Sequence, residues 1–223
     1  MRISKLILCG FLLFTCSAGI SARENNQQAA AWSTDVIGIN EMHLSANYWV
    51  QQTRDANQVL KSPADIARFK KEIFSTNRHM VNPTSYPEEL PGVDVREKIL
   101  AISKPDRSTL YDPDGEILQV AAYQQYTANL GLENIPTSVT VRFALVVARS
   151  DMRTYPTDDS YYRKKENQNL DRFQENGLFP GDALAVLHSS KDGDWAFVQS
   201  YNYAAWVKLE NIAVGGREEI QQY

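Results

Sequence analysis

The chain has 223 residues, with 23 Lys and Arg against 27 Asp and Glu, a net charge of −4, two cysteines and three histidines. The acidic balance argues against nucleic acid or anionic lipid as the main partner, because both are bound through basic patches. The length suits one large domain or two small ones, with 43% hydrophobic residues to build a core.

Arg2 and Lys5 precede an apolar run from Leu6 to Phe14, followed by the small residues Thr15, Ser17, Ala18, Gly19, Ser21 and Ala22. A positive start, a short apolar stretch and a small-residue exit make up a secretory signal peptide. The run is too short for a membrane span, which needs about 20 residues. Residues 1–22 are therefore predicted to be removed, with cleavage after Ala22 and the mature protein exported to the periplasm. Cys9 and Cys16 both fall in this segment, so a chain starting at Arg23 has no thiol for a disulfide, a zinc site or a nucleophile. Cys16, preceded by Leu13-Phe14-Thr15, is the candidate acylation site of a lipoprotein, although Thr15 stands where Gly, Ala or Ser is usual. Membrane attachment is expected only in that lipidated form. Residues 23–31 read as a flexible tether.

Residues 32–136 carry helical signals. Ser62 can cap a helix that Pro63 opens and Asp65 favours electrostatically, and Ile66, Phe69 and Ile73 recur at helical spacing up to a stop at Asn77. Proline-rich turns at 83–87 and at Pro91-Gly92 precede a second helix near Val95–Ile102. A third apolar stretch spans Leu118–Leu132. Asp112-Pro113-Asp114-Gly115-Glu116 has some calcium-loop character, but Gly115 comes too early and later ligands are missing. It reads as a solvated turn, and no metal or other cofactor is expected.

From residue 137 to 216 the texture changes to short strands. Val139–Phe143 with Leu145–Val147, Ala183–His188, Trp195–Gln199, Ala204–Val207 and Ile212–Val214 are apolar or β-branched, and Pro180-Gly181 and Asp192-Gly193 supply turns. Five short strands at this spacing suit a small closed barrel, because closure hides sheet edges. The expected class is α+β, a mostly helical N-terminal domain followed by a small barrel, with residues 217–223 as a tail.

Leu178-Phe-Pro-Gly-Asp-Ala-Leu-Ala-Val-Leu-His188, Asp192-Gly-Asp-Trp-Ala-Phe-Val198 and Ala205-Trp206-Val207 resemble a bacterial SH3 domain, with Ala205 where Gly is common. Asn134–Val139, Asp151–Thr157 and Asp171–Gln174 resemble, more narrowly, the first SH3 domain of NlpC-type murein endopeptidases. His43–Val50, Val59-Leu60 and Tyr111–Gly115 are similar to the helical stabilising domain that opens those proteins. Together these segments cover roughly residues 40–222. In that family a second SH3 domain and a papain-like cysteine domain follow, and neither has a counterpart in this sequence. The resemblance implies a non-catalytic cell-envelope module that binds peptidoglycan stem peptides or a partner cell-wall hydrolase. The alternative it leaves open is the N-terminal part of a split or truncated murein endopeptidase.

The residue inventory agrees with a chain that is not an enzyme. His43, His79 and His188 are the only histidines, and neither a Gly-x-Ser-x-Gly elbow nor a His-Glu-x-x-His pair is present. Paired carboxylates of the glycosidase type are the one arrangement that sequence spacing does not test. Aromatic side chains are the remaining candidates, since they bury area with little rotamer loss. Phe197 and Trp206 read as barrel packing, and Tyr155, Tyr161 and Tyr162 join the candidates. Trp195, Tyr201 and Tyr203, at strand ends or in a connection, are predicted to be partly exposed and to bind the ligand. His188, at a strand end, reads as structural. Intact-mass measurement of protein purified from cells should show loss of residues 1–22. Retention of Met1 would overturn the export reading, and a diacylglycerol adduct on Cys16 would establish the lipoprotein form.

Overall fold

The computed structural model describes residues 32–223, so the predicted signal peptide, Cys16 and the tether lie outside the described residues. The chain divides into two compact units at Leu60/Lys61. In the first, a 3-10 turn at Glu41–Leu44 leads into helix α1 (Ala46–Gln52). Asn40 caps the turn by accepting from the Met42 amide, while His43 Nδ1 accepts from the Asn40 amide at 2.9 Å. Trp49 Nε1 donates to the His43 carbonyl at 2.8 Å, and the His43 ring packs edge-on against Tyr48. His43 thus holds a local turn together.

The second unit opens with α2 (Pro63–Thr76), where Ser62 and Asp65 form the predicted reciprocal cap: Ser62 Oγ accepts from the Asp65 amide and Asp65 Oδ2 from the Ser62 amide, each at 3.2 Å. Asn77 ends the helix as expected. Helices α3 (Gly92–Ile102) and α4 (Val120–Asn129) follow, close to the predicted positions. Asp112–Glu116 is a turn, with Asp112 Oδ1 accepting from the amides of Asp114 and Glu116 and Gly115 at φ 83°. The proline-rich stretch before α3 contains a strand, β1 (Glu89–Pro91), which pairs antiparallel with β2 (Ser138–Thr140). Gly92 is required where this pair meets α3, because a Cβ there would lie 1.9 Å from the Pro136 carbonyl oxygen.

The predicted strand Val139–Phe143 is split at Val141: β2 pairs with β1, and β3 (Arg142–Val146) enters a second sheet. That sheet also holds β4 (Ser150–Arg153), β5 (Gln174–Leu178), β6 (Ala183–Ser189), β7 (Trp195–Gln199), β8 (Ala204–Lys208) and β9 (Ile212–Gly215). Its order is β5-β4-β8-β7-β6-β3-β9, with every neighbour antiparallel. Irregularities at Val186/His188 and Met152/Arg153 bend it into the small SH3-like barrel. The helices and antiparallel sheets make the protein α+β, as predicted, but the large sheet has seven strands rather than five.

Alternation along the strands sends side chains to two different cores. Ala144, Leu184, Val186, Ala196, Val198, Ala205 and Val207 point into the barrel with Met152 and Leu178. Phe143, Ala185, Leu187, Trp195, Phe197 and Trp206 point the other way and pack with Val95, Ile99, Leu110, Tyr126 and Leu130 of the helical region. Strands buried on both faces read as continuous apolar runs, which is the texture of β6 to β8. The region containing α3 and α4 is therefore the outer cover of the barrel within one compact unit. The sequence reading put the change of domain at 136/137, whereas the packing divides at 60/61. Residues 217–223, expected as a tail, include the short helix α5 (Arg217–Gln221), whose Ile220 is buried and whose Arg217 lies over the Phe143 ring.

Polar bonds fix this cover in place. Trp206 Nε1 donates to Ser103 Oγ at 3.0 Å, and Ser103 Oγ donates to the Thr154 carbonyl at 2.7 Å. At the end of α4 the Lys191 amide donates to the Asn129 carbonyl, and His188 Nε2 lies 3.0 Å from the Leu130 carbonyl and 3.2 Å from that of Gly131. Two carbonyl acceptors require Nε2 to carry the proton, and burial lowers the pKa of the ring. His188 is thus a structural residue that satisfies helix-end carbonyls. Ser103→Ala should cost about 1–3 kcal/mol, because it leaves the Trp206 N–H and the Thr154 carbonyl unpaired in the interior. Urea unfolding with an unchanged m value checks this, and an unchanged midpoint would refute it.

Candidate functional site

The connection from β4 to β5 runs from Thr154 to Phe173, long for a segment with no helix or strand of its own. A buried ion pair orders it. Arg153 Nη1 lies 3.0 Å from Asp171 Oδ2, with the two side chains 6% and 11% exposed. Asp171 also accepts from Ser160 Oγ and from the amides of Tyr161 and Phe173, while Arg153 Nη2 donates to the Asp159 carbonyl. Tyr126 then donates to Asp159 Oδ2 and meets the Tyr161 hydroxyl at 3.0 Å. Burial, followed by the bond to Asp159, pushes the Tyr126 pKa well above the ordinary phenol range, so the hydroxyl stays protonated.

Above this pair opens a cleft of about 690 Å³. Arg149, Asp151, Asp158, Trp195, Lys208 and Glu210 line it, so both signs of charge surround an aromatic wall. Lys208 Nζ is 2.7 Å from Asp158 Oδ2, 3.7 Å from Glu210 Oε1 and 5.7 Å from the centroid of the Trp195 ring. The bond to Asp158 raises the Lys208 pKa, which keeps the ammonium charged. A second cleft of about 510 Å³ shares Asp158, Trp195, Lys208 and Glu210. These groups can position charged and hydrogen-bonding ligand atoms. Among the described residues, no cluster of three or more His, Cys, Asp and Glu side chains could hold a metal ion.

The three aromatic residues singled out in the sequence do not share a site. Trp195 lines the charged clefts but is only 5% exposed, which corrects the expectation that it would be open to solvent. It lies on the outer face of β7, which the helical region covers, and so joins the core. Tyr201 is 42% exposed and borders a different groove, with Ile73, Phe74, Met80, Ile220 and Tyr223. Tyr203 is half-buried and donates to Glu175 Oε2 at 2.6 Å; burial and then this bond push its pKa up to about 12. It braces β8 against β5. Phe197 and Trp206 are fully buried as expected, and Tyr155 and Tyr161 are buried in the aromatic cluster around Phe173. Arg153 and Asp171 lie in segments that carried the resemblance, but neither pairing, Arg153 with Asp171 at 18 positions or Asp158 with Lys208 at 50, leaves a local pattern in the sequence.

Residues 159–208 match the family model of the SH3 domain, SH3b1 type. The match runs from the β4–β5 connection through β8, and so includes Asp171, Trp195 and Lys208. This part of the chain is therefore similar to SH3 domains of that type. Among solved structures, the chain is similar to an NlpC/P60 endopeptidase from Photobacterium damselae subsp. piscicida, with 21% identity and a TM-score of 0.48. That similarity covers 57% of this chain and 29% of the other, so the chain spans under a third of that endopeptidase. No curated protein matches.

Asp171→Asn should cost about 3–5 kcal/mol, because it leaves the buried Arg153 guanidinium without a counter-charge. Chemical denaturation measures the loss. A shift under about 0.5 kcal/mol, typical of a surface change, would show that the pair does not organise the connection.

Proposed function

We propose that the protein is a non-catalytic module of the cell envelope, exported to the periplasm, whose charged cleft binds the stem peptides of peptidoglycan. The observation that carries this reading is the cleft itself: Arg149 and Lys208 face Asp151, Asp158 and Glu210 across about 690 Å³, beside the indole of Trp195. A stem peptide has free carboxylates and free amines along a short extended backbone, and a cleft with both charges can pair with each. The largely buried Trp195 indole closes one wall of the cleft and holds Lys208 over its ring. The similarity of residues 159–208 to an SH3 domain supports a binding role, and Lys208 and Trp195 of the cleft lie within that match. The rigid floor supports it too, because a site whose groups are held in advance loses less freedom on binding.

No catalytic group is assigned. His188 is committed to main-chain carbonyls, and His79 accepts from the Arg78 guanidinium outside the cleft. Lys208→Gln should weaken binding of a soluble muropeptide roughly ten-fold, the effect of losing one charge-assisted hydrogen bond. The thermal midpoint should barely move, since an exposed ion pair contributes little. Calorimetric titration and cosedimentation with purified sacculi measure binding, and chromatography of the same mixtures looks for cleavage. Absence of binding, or release of muropeptide fragments by the purified chain, would overturn the proposal.

A further inference from the structure

The ends of β4 and β5, with the residues adjoining them, create a second polar site beside the first. Arg153, Asp171 and Gln174 line the charged cleft described above, whereas their neighbours Thr154, Arg172 and Glu175 line a separate cleft of about 580 Å³. The segment after α3 closes this second cleft and brings Lys104, Asp106 and Arg107, while Arg163 comes from the β4–β5 connection. Four cationic side chains thus face two carboxylates, an excess of two positive charges in a chain whose net charge is −4.

The two carboxylates are already occupied. Glu175 accepts from Thr154 Oγ1 at 2.7 Å through one oxygen and from the Tyr203 hydroxyl at 2.6 Å through the other. Asp106 accepts from the Ser108 amide at 2.8 Å and lies 3.6 Å from Arg163 Nη2. The Ser108 amide, with Arg163 and Arg172 nearby, holds the Asp106 carboxyl below its ordinary pKa, so it is charged and committed. By contrast, Arg172 Nε is buried with no hydrogen-bond partner among the described residues. A guanidinium whose Nε has no acceptor, flanked by a lysine and two further arginines, suits a tetrahedral oxyanion.

We propose that this cleft binds a phosphate group, with Arg172 as the fork at its base and Lys104, Arg107 and Arg163 around it. Two net positive charges match a phosphate dianion better than a single carboxylate. The phosphate could belong to a free anion, to a soluble monoester or to a lipid headgroup, and all three present the same oxygens.

The probe is inorganic phosphate added to the ¹⁵N-labelled full chain at constant ionic strength, followed by two-dimensional NMR. Amide shifts should be confined to residues 104, 106–108, 154, 163 and 172–175, and Arg172→Gln should weaken binding roughly ten-fold or more. If that variant unfolds, the exposed pair Lys104→Gln with Arg107→Gln should still weaken binding severalfold while preserving the spectrum elsewhere. Glycerol phosphate and phosphatidylglycerol vesicles, titrated in parallel, separate the sources. A response to the first alone assigns a small soluble anion, and vesicle binding lost in the same variants assigns a headgroup. Shifts scattered over the surface, or binding unchanged in both variants, would overturn the proposal.

Discussion

Everything in the larger unit depends on burying both faces of β6, β7 and β8. A seven-stranded barrel sheet with Trp206 and Phe197 on its outer face cannot leave that face in water. Fully burying such side chains is worth about 1.5–3 kcal/mol each, and here the helical region supplies the cover. Ser103, at the end of α3, turns the contact into a specific fit by accepting from the Trp206 indole and donating to Thr154. Apolar burial drives the association, and the hydrogen bonds select one orientation.

The same logic places the candidate site. Thr154 lies at the end of this chain of bonds and opens the long β4–β5 connection, whose other end is held by Asp171 on Arg153. Four interactions converge on one carboxylate, so the connection is ordered without secondary structure. An ion pair of this kind gives modest net stability, since desolvation offsets much of the Coulombic gain. Its consequence is positional: the backbone of 159–162 is fixed, and Asp158 is set opposite Lys208. The polar cleft is thus a product of the barrel's framework.

The two faces of the β4–β5 ribbon are chemically unlike. One carries mixed charges beside an indole, and the other gathers guanidinium groups whose carboxylate neighbours are already engaged. Successive residues point to opposite sides of a strand, so a short polar sequence can serve two surfaces at once. In the adjoining turn the dipeptide Asp171-Arg172 likewise serves both, with the acid lining one cleft and the base the other.

Local physics was legible from the residues alone. The Ser62–Asp65 cap, the stop at Asn77, the turn at Asp112–Glu116 and the runs that became β6, β7 and β8 depend on neighbours within a few positions. The same runs carried the resemblance to a bacterial SH3 domain that the match over 159–208 bears out. What the tertiary structure decided involves partners far apart in the chain. Strands β4 and β5, Ser-Asp-Met-Arg and Gln-Glu-Asn-Gly-Leu, have no apolar alternation and exist because they pair with each other and β4 with β8. Trp195 looked exposed because it begins a strand beside a turn, but it joins the buried cluster shared with the helical region, and no local pattern encodes that burial. Sequence spacing reports periodicity along one element. Which side of that element meets solvent is set by what folds onto it.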